Sequence, residues 1–104
     1  MKDQRTEAQI QNACKKLLKK MGFAVWDTSQ PFRARITPGL ADLFVAGRGY
    51  NAWIEVKAGY KKQSAEQIEF QREVESHGGI YVLAYSEQDV ADWINSLPSP
   101  EADE

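Results

Sequence analysis

The segment "PGLADLFVAGRGYNAWIEVKAG", residues 38 to 59, decides the fold. Two short apolar runs, DLFVA and AWIEVK, flank a turn that contains two glycines. Strand-forming residues on both sides of such a turn predict a β-hairpin. Both predicted strands carry charge, with Asp42 at the start of the first and Glu55 and Lys57 in the second. Because burying an unpaired ion costs several kcal/mol, these charges require a compensating partner.

The predicted hairpin brings these charges together. Side chains alternate between the faces of a strand, so Glu55 and Lys57 share one face and Ile54 and Val56 share the other. The pairing places Asp42 beside the charged face, at the end away from the turn. Two carboxylates next to an ammonium group suit a hard cation such as Mg²⁺ or Mn²⁺, which prefers oxygen ligands. A structural salt bridge of Lys57 with either carboxylate is the alternative.

The rest of the chain adds three helices and two strands. Helices are predicted from apolar spacing and from capping-box pairs at their starts, and strands from short apolar runs. The predicted elements are a helix over 6–21, strands over 23–27, 42–46 and 52–57, a helix over 64–77, a strand over 80–85 and a helix over 86–97. The order α-β-β-β-α-β-α predicts an α/β fold in which helices flank a mixed sheet. We expect a single domain over 1–97 and a disordered acidic tail over 98–104.

Composition narrows the class of protein. The chain has 104 residues, of which 42% are apolar and 27% charged, as in ordinary soluble domains. No apolar run approaches the roughly 18 residues of a membrane span, and the start of the chain is too polar for a signal peptide. The single cysteine, Cys14, fits a reducing cytoplasm, where we expect the protein to act. One Cys and one His do not make a zinc site.

The net charge of −2 hides a strong asymmetry along the chain. Residues 1–62 hold twelve of the thirteen Lys and Arg residues, whereas residues 63–104 hold ten of the fifteen acidic residues. The basic half can attract a polyanion such as nucleic acid. The lysines of the first helix either form a secondary DNA track or merely solvate that helix. The loop cations that we predict to contact the phosphates of such a polyanion are Arg33, Arg35, Arg48, Lys61 and Lys62.

Two more polar residues lie on the inner faces of the predicted helices. Glu7 is on the apolar stripe of the first helix, where it either points a third carboxylate toward the sheet or simply favours the helix dipole. Gln67 is on the inner face of the second helix. It either faces the site from there or only completes a capping box with Ser64.

These positions together resemble a known nuclease pattern. In chain order the pattern is Glu7, Pro38-Gly39-x-x-Asp42, Glu55-Val56-Lys57 and Gln67. It resembles the PD-(D/E)XK nuclease superfamily and, more narrowly, the VRR-NUC domain. The resemblance extends over roughly residues 5 to 95 and includes the α-β-β-β-α-β order of the nuclease core. The sequence departs from the family after Lys57, where "AGYKKQSAEQ" replaces a Gly-Pro-Gly-Asp-like stretch.

The resemblance implies a restriction-endonuclease-like core and a metal-dependent endodeoxyribonuclease. Asp42 and Glu55, with the main-chain carbonyl of Val56, would hold Mg²⁺ or Mn²⁺. Glu7 would hold a second metal ion or a metal-bound water. A cation is needed because the phosphodiester is anionic and its leaving group is poor. Metal and substrate would then compensate the buried charges of the hairpin.

The resemblance also gives roles to the remaining polar residues. Lys57 would orient or deprotonate the attacking water and stabilise the charge that develops on the phosphoryl group. Gln67 would position Lys57 or a phosphate of the scissile strand. The candidate catalytic residues are therefore Lys57, Glu55, Asp42, Glu7 and Gln67.

The substrate is predicted to be branched DNA. Stand-alone members of the family act as homodimers on four-way junctions, so the resemblance implies Holliday-junction cleavage by a homodimer in a bacterial or phage-infected cell. No recognition helix or zinc finger is evident, which favours shape over sequence recognition. The alternatives are a flap, duplex-repair or restriction-type nuclease, a non-catalytic nucleic-acid-binding module, and a scaffold whose acidic half docks a basic partner.

Overall fold

The computed structural model describes residues 3–29 and 37–98. The elements are α1 (Glu7–Lys20), β1 (Ala24–Asp27), β2 (Leu43–Gly47), β3 (Tyr50–Val56), α2 (Ala65–Ser76), β4 (Ile80–Ala84) and α3 (Glu87–Ser96). The predicted order is confirmed, and every boundary lies within two residues of its predicted position. The predictions for Arg33, for Arg35 and for the tail beyond 98 fall outside the described residues.

The four strands form one mixed sheet in the order β1-β2-β3-β4. The first three strands pair antiparallel, and β4 pairs parallel to β3, with α2 as the crossover that a parallel pair requires. The β2–β3 hairpin pairs Gly47 with Tyr50, which leaves a two-residue loop. Both loop residues, Arg48 and Gly49, have positive φ angles of 54° and 85°. Positive φ at both positions is what a type I′ turn requires, and this turn fixes the hairpin register.

The core lies on the sheet face that packs against α1 and α3. Each of these helices turns an apolar side toward the sheet, and none of the described helices is long and apolar enough to cross a membrane. Fully burying an aliphatic side chain contributes about 1.5–3 kcal/mol, so this face provides most of the stability. The central core residues are Ile10, Cys14 and Leu18 from α1, Leu43, Val45, Ile54 and Val56 from the sheet, and Val90 and Ile94 from α3.

The opposite sheet face carries the charged residues and lies against α2. A row of aromatic rings crosses it, with neighbouring centroids 4.7 to 6.3 Å apart. Within α2, all of whose residues the structure describes, no side chain is fully buried. The exposure of these rings ranges from the buried Tyr81 to Trp26, which is 52% exposed. The rings belong to Trp26, Phe44, Trp53, Phe70 and Tyr81.

Capping boxes fix where α1 and α2 begin. The Thr6 hydroxyl accepts a hydrogen bond from the Gln9 main-chain N–H at 3.2 Å, and the Gln9 side-chain oxygen accepts from the Thr6 N–H at 2.9 Å. Ser64 and Gln67 form the same pair of bonds at 3.2 and 2.8 Å. Both predicted boxes are confirmed. They place Glu7 and Gln67 in the first turns of their helices, beside the end of the sheet that holds Asp42.

Candidate active site

Asp42 continues the sheet by one residue before β2. Its main-chain N–H donates to the Ile54 carbonyl at 3.1 Å, and its carbonyl accepts from the Thr28 N–H at 2.8 Å. Its side-chain Oδ2 accepts a hydrogen bond from the Val56 N–H at 2.8 Å. The carboxylate is thus fixed at the end of β3, as the hairpin prediction required.

Glu55 is the buried charge of the site, since only 3% of its side chain is exposed. Its Oε2 accepts a hydrogen bond from the Gln67 amide at 2.7 Å and lies 3.8 Å from the Lys57 ammonium. Its Oε1 is buried and has no hydrogen-bond partner among the described residues. An unsatisfied buried oxygen is costly, so this atom marks the point where a further group would stabilise the site.

The two carboxylates disfavour each other's ionisation. Burial raises the pKa of Glu55 to about 8, and the nearby charge of Asp42 adds to this effect, which Lys57 only partly offsets. Burial also raises the pKa of Asp42, despite its hydrogen bond from Val56, and Glu7 adds to the increase. Desolvation and like charge are the physical causes. A proton or a cation is therefore needed to stabilise the pair at neutral pH.

Lys57 and Gln67 both lie against the Oε2 oxygen of Glu55. Only 12% of the Lys57 side chain is exposed, and its backbone N–H bonds the Ala84 carbonyl at 3.0 Å. The Gln67 amide uses both ends, because its oxygen caps the Ser64 N–H while its nitrogen donates to Glu55. Gln67 therefore serves both as a cap and as a site residue. It contacts the Glu55 carboxylate, whereas the prediction placed it on Lys57 or a phosphate.

Glu7 faces the site from the start of α1 but is paired elsewhere. Its Oε2 lies 3.4 Å from the Lys61 ammonium, and 37% of its side chain is exposed. Its charge raises the pKa of both buried carboxyl groups, which puts it on their side of the molecule. Over residues 3–29 and 37–98, no three His, Cys, Asp or Glu side chains converge closely enough to hold a metal ion. The structure thus brings Asp42 and Glu55 together and leaves Glu7 with Lys61.

The glycine of the "PGLAD" segment has a steric role. Gly39 has a positive φ of 80°, and a Cβ atom there would collide with the main-chain carbonyl of Glu66, in the first turn of α2. Only glycine allows this close approach of loop and helix. The loop that leads to Asp42 therefore packs against the same helix turn that carries Gln67, and this contact keeps the two halves of the site together.

The structure contains a polar network, centred on Gln63, that the sequence did not predict. Gln63 donates from its amide to the Gln71 side-chain oxygen at 2.9 Å and to the Tyr81 hydroxyl at 3.1 Å. Burial raises the pKa of Tyr81, and the Glu55 charge adds to the increase. The partners lie eight and eighteen residues from Gln63, so no local spacing could have indicated them.

The predicted DNA-contacting cations separate into two groups. Lys61 and Lys62 are exposed in the loop that connects β3 to α2, close to Glu7. Arg48 lies in the β2–β3 turn, at the opposite end of the sheet from the carboxylates, where its Nε donates to the Met21 carbonyl at 3.3 Å. On α1, Lys15 forms an ion pair with Asp27 at 2.8 Å. Lys61 and Lys62 therefore lie on the side of the carboxylates, whereas Arg48 does not, and its contact with DNA phosphates stays a prediction.

The donor set fits a hard divalent cation. Asp42 and Glu55 offer carboxylate oxygens, and Glu55 Oε1 lacks a partner among the described residues. Burial raises the pKa of each carboxyl, the Asp42 charge adds to the increase at Glu55, and the Glu7 charge adds to the increase at Asp42. Mg²⁺ and Mn²⁺ prefer oxygen ligands and keep several waters, so two carboxylates from the protein are sufficient. The observed orphan oxygen is what such an ion would satisfy.

Structural comparison identifies the fold. No family model and no curated protein matches the sequence. A solved structure named "VRR_NUC domain" matches with a TM-score of 0.74 and 24% identity, over 90% of this chain and 100% of that chain. A second, named "VRR_NUC domain protein", matches with a TM-score of 0.71 and 20% identity, over 89% of this chain and 88% of that chain. The fold prediction is confirmed: the chain has the mixed α/β fold of the VRR_NUC domain.

Proposed function

We propose that this protein is a divalent-metal-dependent DNA endonuclease. The observation that carries the proposal is the buried Asp42–Glu55 pair, in which Glu55 Oε1 has no partner among the described residues and Lys57 lies 3.8 Å from the other oxygen. The pair is located at the end of the hairpin in a VRR_NUC fold. Carboxylates that need a cation, beside an ammonium group, are the components of metal-assisted phosphodiester hydrolysis.

Asp42 and Glu55 are the residues that would hold Mg²⁺ or Mn²⁺. When bound, the ion supplies Lewis-acid stabilisation of the charge on the phosphoryl oxygens. The Val56 N–H fixes Oδ2 of Asp42, and the Gln67 amide fixes Oε2 of Glu55. These two hydrogen bonds fix one oxygen of each carboxylate, and the other oxygen of each would be left to hold the ion.

Lys57 supplies the positive charge next to the metal ligands. Its ammonium lies on the sheet face of Glu55, mostly shielded from water. At that place it can hydrogen-bond an attacking water or a phosphoryl oxygen, and a charge-assisted bond is strong where solvent is excluded. Glu7, at the edge of the site, is suited to hold a water or a second ion after it leaves Lys61.

A purely structural salt bridge explains the site less well. Such a pair would be expected to satisfy both oxygens of a buried carboxylate. Here Lys57 and Gln67 both lie against Oε2, and Oε1 has neither an amide nor an ammonium partner in the described regions. A protein-docking scaffold likewise gives no reason for a buried carboxylate pair with an unsatisfied oxygen.

Branched DNA and a homodimer are the finer parts of the proposal. A chain of 104 residues is small for holding both strands of a duplex, and a two-fold dimer matches a symmetric four-way junction. Trp26, on edge strand β1, is 52% exposed and offers an apolar surface for a second copy. Tyr85, another aromatic residue, donates its hydroxyl to the Lys61 carbonyl at 2.8 Å.

The decisive test is cleavage of labelled four-way junction, flap and linear duplex DNA in Mn²⁺ and in Mg²⁺. The native protein is compared with Lys57→Ala and, as a matched control, with Lys62→Ala, which removes an exposed lysine from the adjacent loop. We expect paired nicks on the junction, a loss of about 10²–10³-fold in Lys57→Ala, and a small effect in Lys62→Ala.

Other results would change specific parts of the proposal. Cutting of flap or duplex DNA instead of the junction would keep the chemistry and remove the junction preference. Binding of DNA without cleavage in either metal would favour a binding module. Light scattering of native protein and of Trp26→Glu gives the oligomeric state, and a native monomer would exclude the dimer.

A further inference from the structure

Lys61 occupies a distinctive place beside the candidate site. Its ammonium lies 3.4 Å from Oε2 of Glu7, and this ion pair connects the loop after β3 to the start of α1. The Lys61 side chain is 71% exposed, whereas Lys57 on the same face of the site is nearly buried. Exposed ion pairs are weak and easily exchanged for another partner. The pair therefore restrains Lys61 only slightly.

The main chain at Lys61, in contrast, is firmly fixed. Its N–H donates to the Ala58 carbonyl at 3.1 Å, which closes a turn that has Gly59 at a positive φ of 60°. Its carbonyl accepts a hydrogen bond from the Tyr85 hydroxyl at 2.8 Å. A fixed backbone with an exposed side chain lets the ammonium move between nearby partners while its base stays in place.

The charges around Lys61 favour such an exchange. Glu7 pairs with Lys61, and its charge also adds to the raised pKa of each of the two buried carboxyl groups, Asp42 and Glu55. Lys61 is the ammonium that the structure places on Glu7. A divalent cation at Asp42 and Glu55 would take over part of this neutralisation, and DNA phosphates would offer Lys61 a new anionic partner.

We propose that Lys61 is an exchangeable counter-ion, which pairs with Glu7 in the metal-free protein and transfers to a DNA phosphate when a divalent cation and DNA bind. This inference rests on the proposed function, because it assumes that the site takes a metal ion and DNA. It gives the "AGYKKQ" loop, where the sequence departs from the related nucleases, a defined role. The loop couples metal binding to DNA binding.

Metal binding by DNA-free protein is the first test. Isothermal titration with Mn²⁺ compares the native protein with Lys61→Met and with Lys62→Met, which removes the same charge one residue away. Lys62 forms no ion pair with any described residue. We expect Lys61→Met to bind Mn²⁺ about two- to fivefold more tightly, the range that corresponds to an exposed ion pair. Lys62→Met is expected to change the affinity much less.

DNA binding is the second test, carried out with Ca²⁺, another oxygen-seeking cation. Affinity for junction DNA is measured over a range of salt concentrations. Lys61→Met is expected to weaken binding and to lower the slope of log affinity against log salt by about one contact. In Glu7→Gln, where the competing carboxylate is gone, DNA binding without metal is expected to tighten, and this gain should disappear when Lys61 is also replaced.

The outcomes separate the two proposals. Native protein that binds no Mn²⁺ overturns the proposed function and, with it, this inference. Native protein that binds Mn²⁺, with Lys61→Met equal to Lys62→Met in the Mn²⁺ titration and with the Glu7→Gln gain in DNA binding unchanged when Lys61 is replaced, leaves the nuclease intact and overturns the exchange. Tighter metal binding without a change in salt slope would make Lys61 a permanent partner of Glu7, which also overturns the exchange. Thermal unfolding checks that each variant is folded.

Discussion

The two faces of the sheet differ in what they bury. The face toward α1 and α3 is closed by aliphatic side chains, and Leu43, Val45 and Ile54 on it are inaccessible to solvent. The face toward α2 buries the charged Glu55, while no side chain of that helix is fully buried in the described structure. One face therefore stabilises the fold by burying apolar area. The other holds charged groups in place, which lowers the free energy of unfolding.

The neighbouring residues Ile54 and Glu55 show this contrast within one strand. Ile54 belongs to the core, and Glu55 belongs to the site. Because strand side chains alternate, two adjacent positions have opposite tasks. Predictions that compare them test whether stability and chemistry are indeed separated.

The largest effect is expected from replacing these neighbours one at a time. Ile54→Ala should lower the free energy of unfolding by about 2–5 kcal/mol, since it leaves a cavity in the core. Glu55→Gln should preserve or increase stability at pH 8, because the neutral amide removes the cost of a buried charge. Urea unfolding measures both, and Mn²⁺ titration should show loss of metal binding in Glu55→Gln. A Glu55→Gln variant as unstable as Ile54→Ala would contradict the separation.

The pH dependence of stability sharpens the comparison. The pKa of Glu55 is raised from an ordinary value of 4.5 to about 8, so between these limits the folded state binds more protons than the unfolded state. Stability of the metal-free protein should therefore fall as pH rises from about 5 to 8, by up to about 1.4 kcal/mol per pH unit. Below this window the contribution is fully present.

Thermal unfolding in EDTA at several pH values measures this slope. Adding Mn²⁺ should raise the melting temperature more at pH 8 than at pH 5, because the cation replaces the proton on the carboxylate pair. Glu55→Gln serves as the control and should lose most of the slope. A flat profile for the native protein would show that the pair is not strained by its charge.

The smallest effect is expected from the two capping-box glutamines. Gln9 and Gln67 make the same bonds to Thr6 and Ser64, but only Gln67 also donates to Glu55. Gln9→Ala should cost about 0.5–1 kcal/mol, whereas Gln67→Ala should cost about 1 kcal/mol more because Glu55 loses its donor. Equal losses in urea unfolding would mean that the bond to Glu55 contributes nothing to stability.

Much of the fold was predictable because its signals are local. Capping boxes, apolar spacing and the glycine turn act over a few residues, so the order and the approximate bounds of all seven elements followed from the sequence. The pairing of Asp42 with the end of β3 also followed, since strand alternation and the glycine-containing turn predict the hairpin, although the structure shortens the predicted five-residue turn to two residues.

The contacts of Lys61, Gln63 and Gln67 could not be predicted in this way. Their partners lie far along the chain and depend on how the crossover helix settles on the sheet. The position of Arg48 shows the same limit. The sequence predicts that this basic loop residue lies near the site, although the hairpin turn places it at the opposite end of the sheet. Charge and residue type suggest a phosphate contact, but only position decides it.

The sequence by itself determined the elements, the β2–β3 hairpin and its charged end, because each depends on interactions between residues close in the chain or paired across one turn. The tertiary structure alone decided which carboxylate oxygen of Glu55 remains without a partner in the described protein, and that Glu7 pairs with Lys61. These features depend on burial and on distances between helices and loops, which arise only when the separate elements pack together.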